Sequence, residues 1–291
     1  MEPIVYIDGQ YLPKKDAKIS VFDHGLLYGD GIFEGIRTYG GRVFKLDRHL
    51  ERLYRSAGMI SLEVPLGQAD FRDVILEVCR RNEVQEGYIR PIVTRGAGTL
   101  GLDPRRTERP TVIVIATTLA PLYEEKAEQG LRLITSKWRR NPPQALNPNI
   151  KSLNYLNNIL AMLEVIEKGM DEAVMLDMDG FVSEGSADNI FIYDGSTFIS
   201  PPVETNLPGV TRETAIELIR KKGWDFREEK FRMEALYSAQ EVFLTGTAAE
   251  IAPVVEVDSR KIGSGKPGEK TKELTASFKE LVNSTGTPIY D

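Results

Sequence analysis

The run NIKSLNYLNN, residues 149–158, holds a single charged side chain, Lys151. A lysine amine attacks carbon or carries protons only after losing its own proton, so its ordinary pKa of about 10.4 has to be brought down by desolvation or by a nearby cation or electrophile. Around Lys151 stand amides, hydroxyls and apolar side chains, with no neighbouring carboxylate to hold the ammonium form. That setting suits an amine that makes a carbon–nitrogen double bond with a carbonyl compound. An ordinary surface lysine on a loop fits the same ten residues.

Few other chemistries are open to this chain. His24 and His49 are its only histidines and Cys79 its only cysteine, which leaves too few ligands for a zinc cluster and makes a Ser/His nucleophile pair a poor prospect. No metal is expected. Cys79 falls with Phe71, Val74, Ile75 and Val78 at helical spacing, so it reads as part of an apolar stripe rather than as a reactive thiol.

If Lys151 forms a Schiff base with pyridoxal phosphate, the site also needs an acid at the pyridine nitrogen, donors for the phosphate and groups for the substrate carboxylate. Glu184, in GFVSEGSADN, is a carboxylate that could face inward after a hairpin strand, or an exposed turn residue. Gly209, Val210 and Thr211 directly precede an amphipathic helix that Thr211 could cap; such a junction binds anions, and it can equally be a plain cap. LTGTAAE, ending at Glu250, puts small residues and two hydroxyls after a strand, where a ligand can approach backbone amides closely. Arg52, in HLERL, offers a fixed cation for a phosphate, or half of a surface ion pair.

Two glycine-rich runs do not carry the functions they imitate. GAGTLG, Gly96 to Gly101, matches a dinucleotide fingerprint, yet Pro104 and Pro110 break the segment where the required helix would open. GSGKPGEKTK lacks the Gly-Lys-Ser/Thr end of a phosphate loop, because Glu269 follows Gly268.

The elements that must position these residues read as an α/β (α+β) fold. Strands at IVYIDGQYL and a strand-rich stretch VFDHGLLYGDGIFEGIRTYGGRVFKL precede helices at LDRHLERLYRSAG and FRDVILEVCRRN, then strands at YIRPIVT and TVIVIATT. Residues 119–130, LAPLYEEKAEQG, read as the connection between a small N-terminal α/β domain, 1–118, and a larger C-terminal domain, 131–291. The second domain holds a strand, the loop NPPQALNPNIK, a helix from about Tyr155 to Lys168 closed by Gly169, a hairpin turned at Asp179–Gly180, further strands, and helices at TRETAIELIRKKG and GEKTKELTASFKELV.

With 43 acidic against 37 basic residues and a net charge of −6, the chain is a poor partner for nucleic acid or an anionic membrane, which leaves small molecules as ligands. No run reaches the roughly 20 apolar residues of a bilayer span, and the N-terminus has no signal-peptide pattern, so a cytoplasmic location is expected.

The blocks YGDGIFEGIR, HLERL, YIRPIVTRGAG, NIKSLNYL, DGFVSEGSADNIF, LPGVTRETAIEL and FLTGTAAEIAPV follow one another along nearly the whole chain. In order and approximate spacing this series resembles the fold-type IV pyridoxal-phosphate enzymes, most closely the branched-chain amino acid aminotransferases. The resemblance implies a C-terminal pyridoxal-phosphate-binding domain with a barrel-like sheet and helices. It implies that Lys151 carries the cofactor as a Schiff base, that Glu184 pairs with the pyridine nitrogen, and that Arg52, Val210, Thr211 and Thr247, with Gly209, hold the phosphate. Tyr155 would hydrogen-bond the phenolic oxygen. Ala248 and Ala249 amides, with Tyr88, would receive the substrate α-carboxylate; Phe33, Tyr28 and Tyr123 would line an apolar pocket bordered by Trp138; Arg90 would take the distal carboxylate of glutamate. GAGTLG corresponds to a loop that reaches the neighbouring subunit's active site, which implies a homodimer or an oligomer of dimers.

The implied reaction moves an amino group from leucine, isoleucine or valine to 2-oxoglutarate, giving 2-oxo acids and L-glutamate. The same scaffold serves D-amino-acid and amine transaminases and aminodeoxychorismate lyases; GTLGLDPRRTERP lacks the histidine that marks the D-specific enzymes, and YIRP and GTAAE favour the branched-chain group over the lyases. A protein that only binds a phosphate non-covalently is the rival from a different class.

Overall fold

A computed structural model of the chain describes residues 2–290. Packing divides it into two units. The first comprises residues 1–120, 150–154 and 282–291, and the second residues 121–149 and 155–281.

The first unit opens with strands β1 (Ile4–Ile7) and β2 (Gln10–Pro13), then α1 (His24–Tyr28), β3 (Gly31–Phe33), β4 (Ile36–Tyr39) and β5 (Arg42–Val43). Helices α2 (Leu46–Met59) and α3 (Gln68–Arg81) follow, then β6 (Gly87–Thr94) and β7 (Thr111–Thr118). The stretch read as strand-rich therefore contains a helix. Asp23 caps it, its carboxylate accepting the Gly25 N–H at 2.7 Å, and Gly29 ends it at φ +68°. These caps outweigh the two glycines that make the segment look like turns.

α2 and α3 bury the faces their 3.6-residue period predicts. Leu46, Leu50, Leu53 and Ala57 of α2 meet Phe71, Ile75, Val78 and Cys79 of α3 in one core with Ile89 and Val93 of β6. Cys79 is fully buried, which pushes its thiol up to about 12. β6 is central in its sheet, paired with β3, β4 and β7. Its two-residue period sends Ile89 and Val93 into that core and Tyr88 and Arg90 to the other face.

The second unit contains β8 (Leu131–Thr135), α4 (Pro143–Leu146), α5 (Leu156–Glu167), β9 (Glu172–Leu176), β10 (Val182–Glu184), β11 (Asn189–Tyr193) and β12 (Thr197–Ser200). It continues through α6 (Val210–Lys221), β13 (Asp225–Glu228), α7 (Met233–Ser238), β14 (Glu241–Gly246), β15 (Glu250–Val257), β16 (Arg260–Lys261) and α8 (Glu269–Ser284). Its sheet runs β10-β9-β8-β15-β14-β11-β12-β13, parallel at β9/β8, β8/β15 and β12/β13, with Leu133, Val174, Ile190, Leu244 and Val254 in the core. The loop NPPQALNPNIK contains the turn of helix α4, begun by Pro143 at its first position, where a missing N–H costs nothing.

A last strand, β17 (Thr287–Pro288), joins the first unit by pairing with β5. Ile289, fully buried, enters the same core, and its carbonyl accepts from Arg80 Nε at 2.6 Å. Among the described residues no helix is long and apolar enough to cross a membrane.

Candidate active site

Lys151 is held by its backbone in the first unit. Its N–H donates to Ser56 Oγ at 3.2 Å, its carbonyl accepts from Phe33 N–H at 3.0 Å, and Leu153 N–H donates to Gly31 O at 2.9 Å. Residues 151–153 thus lie alongside β3, with a bridge between Ser152 and Ile32. The consequence for the side chain is specific: Lys151 Nζ stands 4.6 Å from the centre of the Phe33 ring.

The same ring meets a second cation. Phe33 is in register with Ile92 of β6, so it shares the face that carries Tyr88 and Arg90. Arg90 Cζ is 4.6 Å from the Phe33 centroid, and its Nη2 donates to Tyr88 Oη at 2.9 Å. Arg90 Nε is buried with no hydrogen-bond partner among the described residues, as are Nε and Nη1 of Arg37, which lies opposite Tyr88 in register. Two guanidiniums with unused donors beside a tyrosine hydroxyl and an aromatic ring make a setting for a carboxylate.

Behind this group, α2 presents a polar stripe at i, i+3 and i+7, formed by His49, Arg52 and Ser56. Arg52 is not a surface ion pair: it is 5 % exposed, and its Nε and Nη2 each donate at 2.7 Å to the two oxygens of buried Glu34. His49 Nδ1 lies 2.8 Å from Glu34 Oε2. Burial alone would raise the Glu34 carboxyl, but Arg52 and His49 outweigh it and hold it well below the usual range. Burial, opposed by Glu34, lowers His49, with Arg52 and Lys151 adding to the lowering.

In the second unit Glu184 ends β10 and is 4 % exposed. It is not an exposed turn residue. Arg140 Nε donates to its Oε1 at 2.5 Å and Leu207 N–H to its Oε2 at 3.2 Å, so the charge is paired and fixed in direction. Arg140 is steadied in turn by Asn157, whose Oδ1 accepts from Nη1 at 3.0 Å.

The helix expected after Thr211 begins earlier. Val210 is already the first residue of α6, Gly209 is its N-cap with no side-chain cap, and Thr211 lies within the first turn rather than capping it. A β-carbon at Gly209 would fall 2.1 Å from Asn189 Oδ1, so the chain passes that side chain only as glycine. The turn from Thr247 to Ala249 joins β14 to β15, and Gly246 beside it leaves 1.8 Å between a notional β-carbon and Asp188 Oδ1. Thr245 Oγ1, just before this turn, is buried and has no partner among the described residues. A glycine-capped helix start, a close-packed glycine turn and an orphaned hydroxyl are what a phosphate-bearing ligand needs, so this chain fits pyridoxal phosphate on its own residues.

The remaining candidates fall as follows. Tyr155 is the N-cap residue of α5, and Ala248 and Ala249 lie in the turn just described. Tyr123 is half-buried, with its hydroxyl on Glu172 at 3.1 Å. Trp138 is 39 % exposed, with Lys137 Nζ over its ring. Tyr28 belongs to a different group from Phe33: it packs edge-on against His24, and its hydroxyl accepts from Gly101 N–H at 2.9 Å, at the end of GAGTLG. Glu34, His49, Arg37, Arg140 and Glu172 escape the sequence reading, because each matters through a partner far away in sequence.

The class IV amino-transferase family matches residues 31–257. A Methanocaldococcus jannaschii protein, provisionally named a branched-chain-amino-acid aminotransferase, is 48 % identical over 288 residues, 99 % of this chain and 99 % of its own. The branched-chain-amino-acid aminotransferase of Pseudomonas aeruginosa is 35 % identical over 96 % of this chain and 93 % of its own. The crystal structure of the T.th. branched-chain amino acid aminotransferase complexed with N-(5'-phosphopyridoxyl)-L-glutamate matches with a TM-score of 0.93 at 36 % identity, over 98 % of this chain and 95 % of that one. With a family match across more than half its length and relatives this similar from end to end, the chain belongs to the class IV amino-transferases.

Proposed function

We propose that this chain is a pyridoxal-phosphate-dependent aminotransferase that moves the amino group of leucine, isoleucine or valine to 2-oxoglutarate, giving branched 2-oxo acids and L-glutamate. The observation that carries the reading is the Phe33 ring with Lys151 Nζ and Arg90 Cζ each 4.6 Å from its centre. It combines a lysine amine, an apolar wall for a branched side chain and a cation for the second carboxylate of glutamate. The names of the relatives support the same substrates.

Pyridoxal phosphate, when bound, supplies an electron sink for the pair released from the donor's Cα–H bond. Lys151 would hold the cofactor, and its Nζ would take the proton lost from the donor's α-carbon and deliver it to the cofactor side rather than back to that carbon. Glu184, oriented by Arg140 and Leu207 N–H, would pair with the pyridine nitrogen, and Tyr155 would donate to the phenolic oxygen. Arg52, Val210, Thr211 and Thr247, with Gly209, would hold the phosphate. Tyr88 and the Ala248 and Ala249 amides receive the α-carboxylate. Phe33, Tyr123 and Trp138 border the side-chain pocket, whereas Tyr28, expected there, groups with His24 and Gly101 instead.

A cytoplasmic homodimer, or an oligomer of dimers, completes the proposal. Exposed apolar side chains at Val21, Phe22, Leu26, Leu100 and Leu102, 50–80 % exposed, support an interface near the GAGTLG loop. A donor panel of L-Leu, L-Ile, L-Val, D-Ala and (R)-phenylethylamine, each with 2-oxoglutarate, tests the function. Turnover of the three L-amino acids is expected; turnover confined to D-Ala or the amine rejects it.

A further inference from the structure

Glu172, the first residue of β9, is 2 % exposed and belongs to none of the roles assigned above. Four donors converge on its carboxylate. The Ala173 and Ser186 N–H groups reach Oε1 at 2.6 and 3.0 Å, and the Ser186 and Tyr123 hydroxyls reach Oε2 at 2.8 and 3.1 Å. A side chain that spends both oxygens on four donors in the interior acts as a fixed anchor.

What it anchors is the segment that touches the 245–249 turn. Tyr123 is tied by its hydroxyl to Glu172 and by its carbonyl to Lys126 N–H at 2.9 Å. Its neighbour Leu122 donates its N–H to Ala248 O at 2.8 Å. Asp188, 5 % exposed, backs the same turn at Gly246. Burial pushes the Tyr123 phenol upward, with Glu172 and Asp188 adding to the rise, and burial also raises the Glu172 carboxyl against its donors, so the phenol stays protonated and remains a donor.

We propose that Glu172 is a positioning residue for substrate binding: by accepting from Tyr123 it sets the wall of the side-chain pocket and, through the Leu122–Ala248 bond, the turn whose amides receive the α-carboxylate. This rests on the assignment of Tyr123, Ala248 and Ala249 to the substrate. Glu172→Gln keeps the size of the side chain but offers one acceptor oxygen to four donors and sets an NH2 against the rest.

The test uses the pyridoxal-phosphate-loaded enzyme in four forms: wild type, Glu172→Gln, Tyr123→Phe and the double variant. Three quantities are read: KM and kcat for L-leucine, the affinity for the unreactive analogue 4-methylvalerate, and the affinity for pyridoxal phosphate. Each single variant is expected to raise KM and weaken analogue binding in parallel, by about tenfold for the lost hydrogen bonds to a charged group, with kcat and cofactor affinity within about twofold. The double variant should be no worse than the poorer single one, because Tyr123→Phe has no contact left to remove once Glu172→Gln has broken it. Additive losses, or cofactor affinity falling in step, make Glu172 a general support of the fold and overturn the proposal. If Glu172→Gln does not fold, Tyr123→Phe decides alone: unchanged analogue binding overturns the proposal and leaves the aminotransferase reading standing. A wild-type chain that takes up no pyridoxal phosphate overturns both.

Discussion

Glu34 has Arg52 on both its oxygens and His49 on one of them, all three within the interior. Removing one member of a buried pair strands the charge of the other, so Glu34→Ala should destabilise the protein by roughly 3–5 kcal/mol in denaturant titration. Acid dependence follows from the direction of the shift. Because Glu34 is held below its ordinary 4.5, its contribution is complete above that value and is lost as the pH falls through the lowered value of the folded state. His49 is also lowered, from 6.5, so unfolding takes up a proton there at higher pH. Stability below pH 4.5 should therefore fall more steeply in wild type than in Glu34→Gln; parallel curves would show that the pair does not hold Glu34 ionised. The sequence reading offered Arg52 as either a phosphate ligand or a surface partner, and burial removes the second option. Glu34, 18 residues away, had no signal beyond lying in FEG.

Among the helices and strands, periodicity carried most of the reading. The stripes of α2 and α3 and the alternation of β6 put the core and the Tyr88–Arg90 face where the pattern predicts. α1 was missed because five residues hold too little periodicity, and only the Asp23 cap and the left-handed Gly29 mark it. The start of α6 differs by two positions with a functional consequence: a glycine cap leaves the first amides without a competing side chain. Gly209→Ala drives a β-carbon to 2.1 Å from Asn189 Oδ1, and Asn189 cannot easily yield because its Nδ2 donates to Leu207 O at 2.8 Å. Displacing the helix start should weaken pyridoxal phosphate binding by about tenfold or more in equilibrium dialysis, a loss of about 1.4 kcal/mol or more. Affinity within twofold of wild type would remove this helix end from the phosphate site.

Over its full length the chain is not cut once. Residues 150–154, carrying Lys151, belong to the first unit although the residues on both sides belong to the second, and residues 282–291 return to the first unit through β17 and Ile289. A linear reading has no means of foreseeing this. TPIYD is too short to show a period, and the attachment of Lys151 depends on Phe33, Gly31 and Ser56, which lie far upstream. The lysine stood out because its ten-residue run carries no other charge, and only the other segments gave it a proposed role; its place over Phe33 had no signal. That Lys151 carries the cofactor can be checked chemically by loading with pyridoxal phosphate, reduction with borohydride, digestion and mass spectrometry. The reduced cofactor mass is expected on the peptide containing Lys151 and on no other lysine, with no such adduct in Lys151→Ala; an adduct on another lysine, or none in wild type, would refute the assignment.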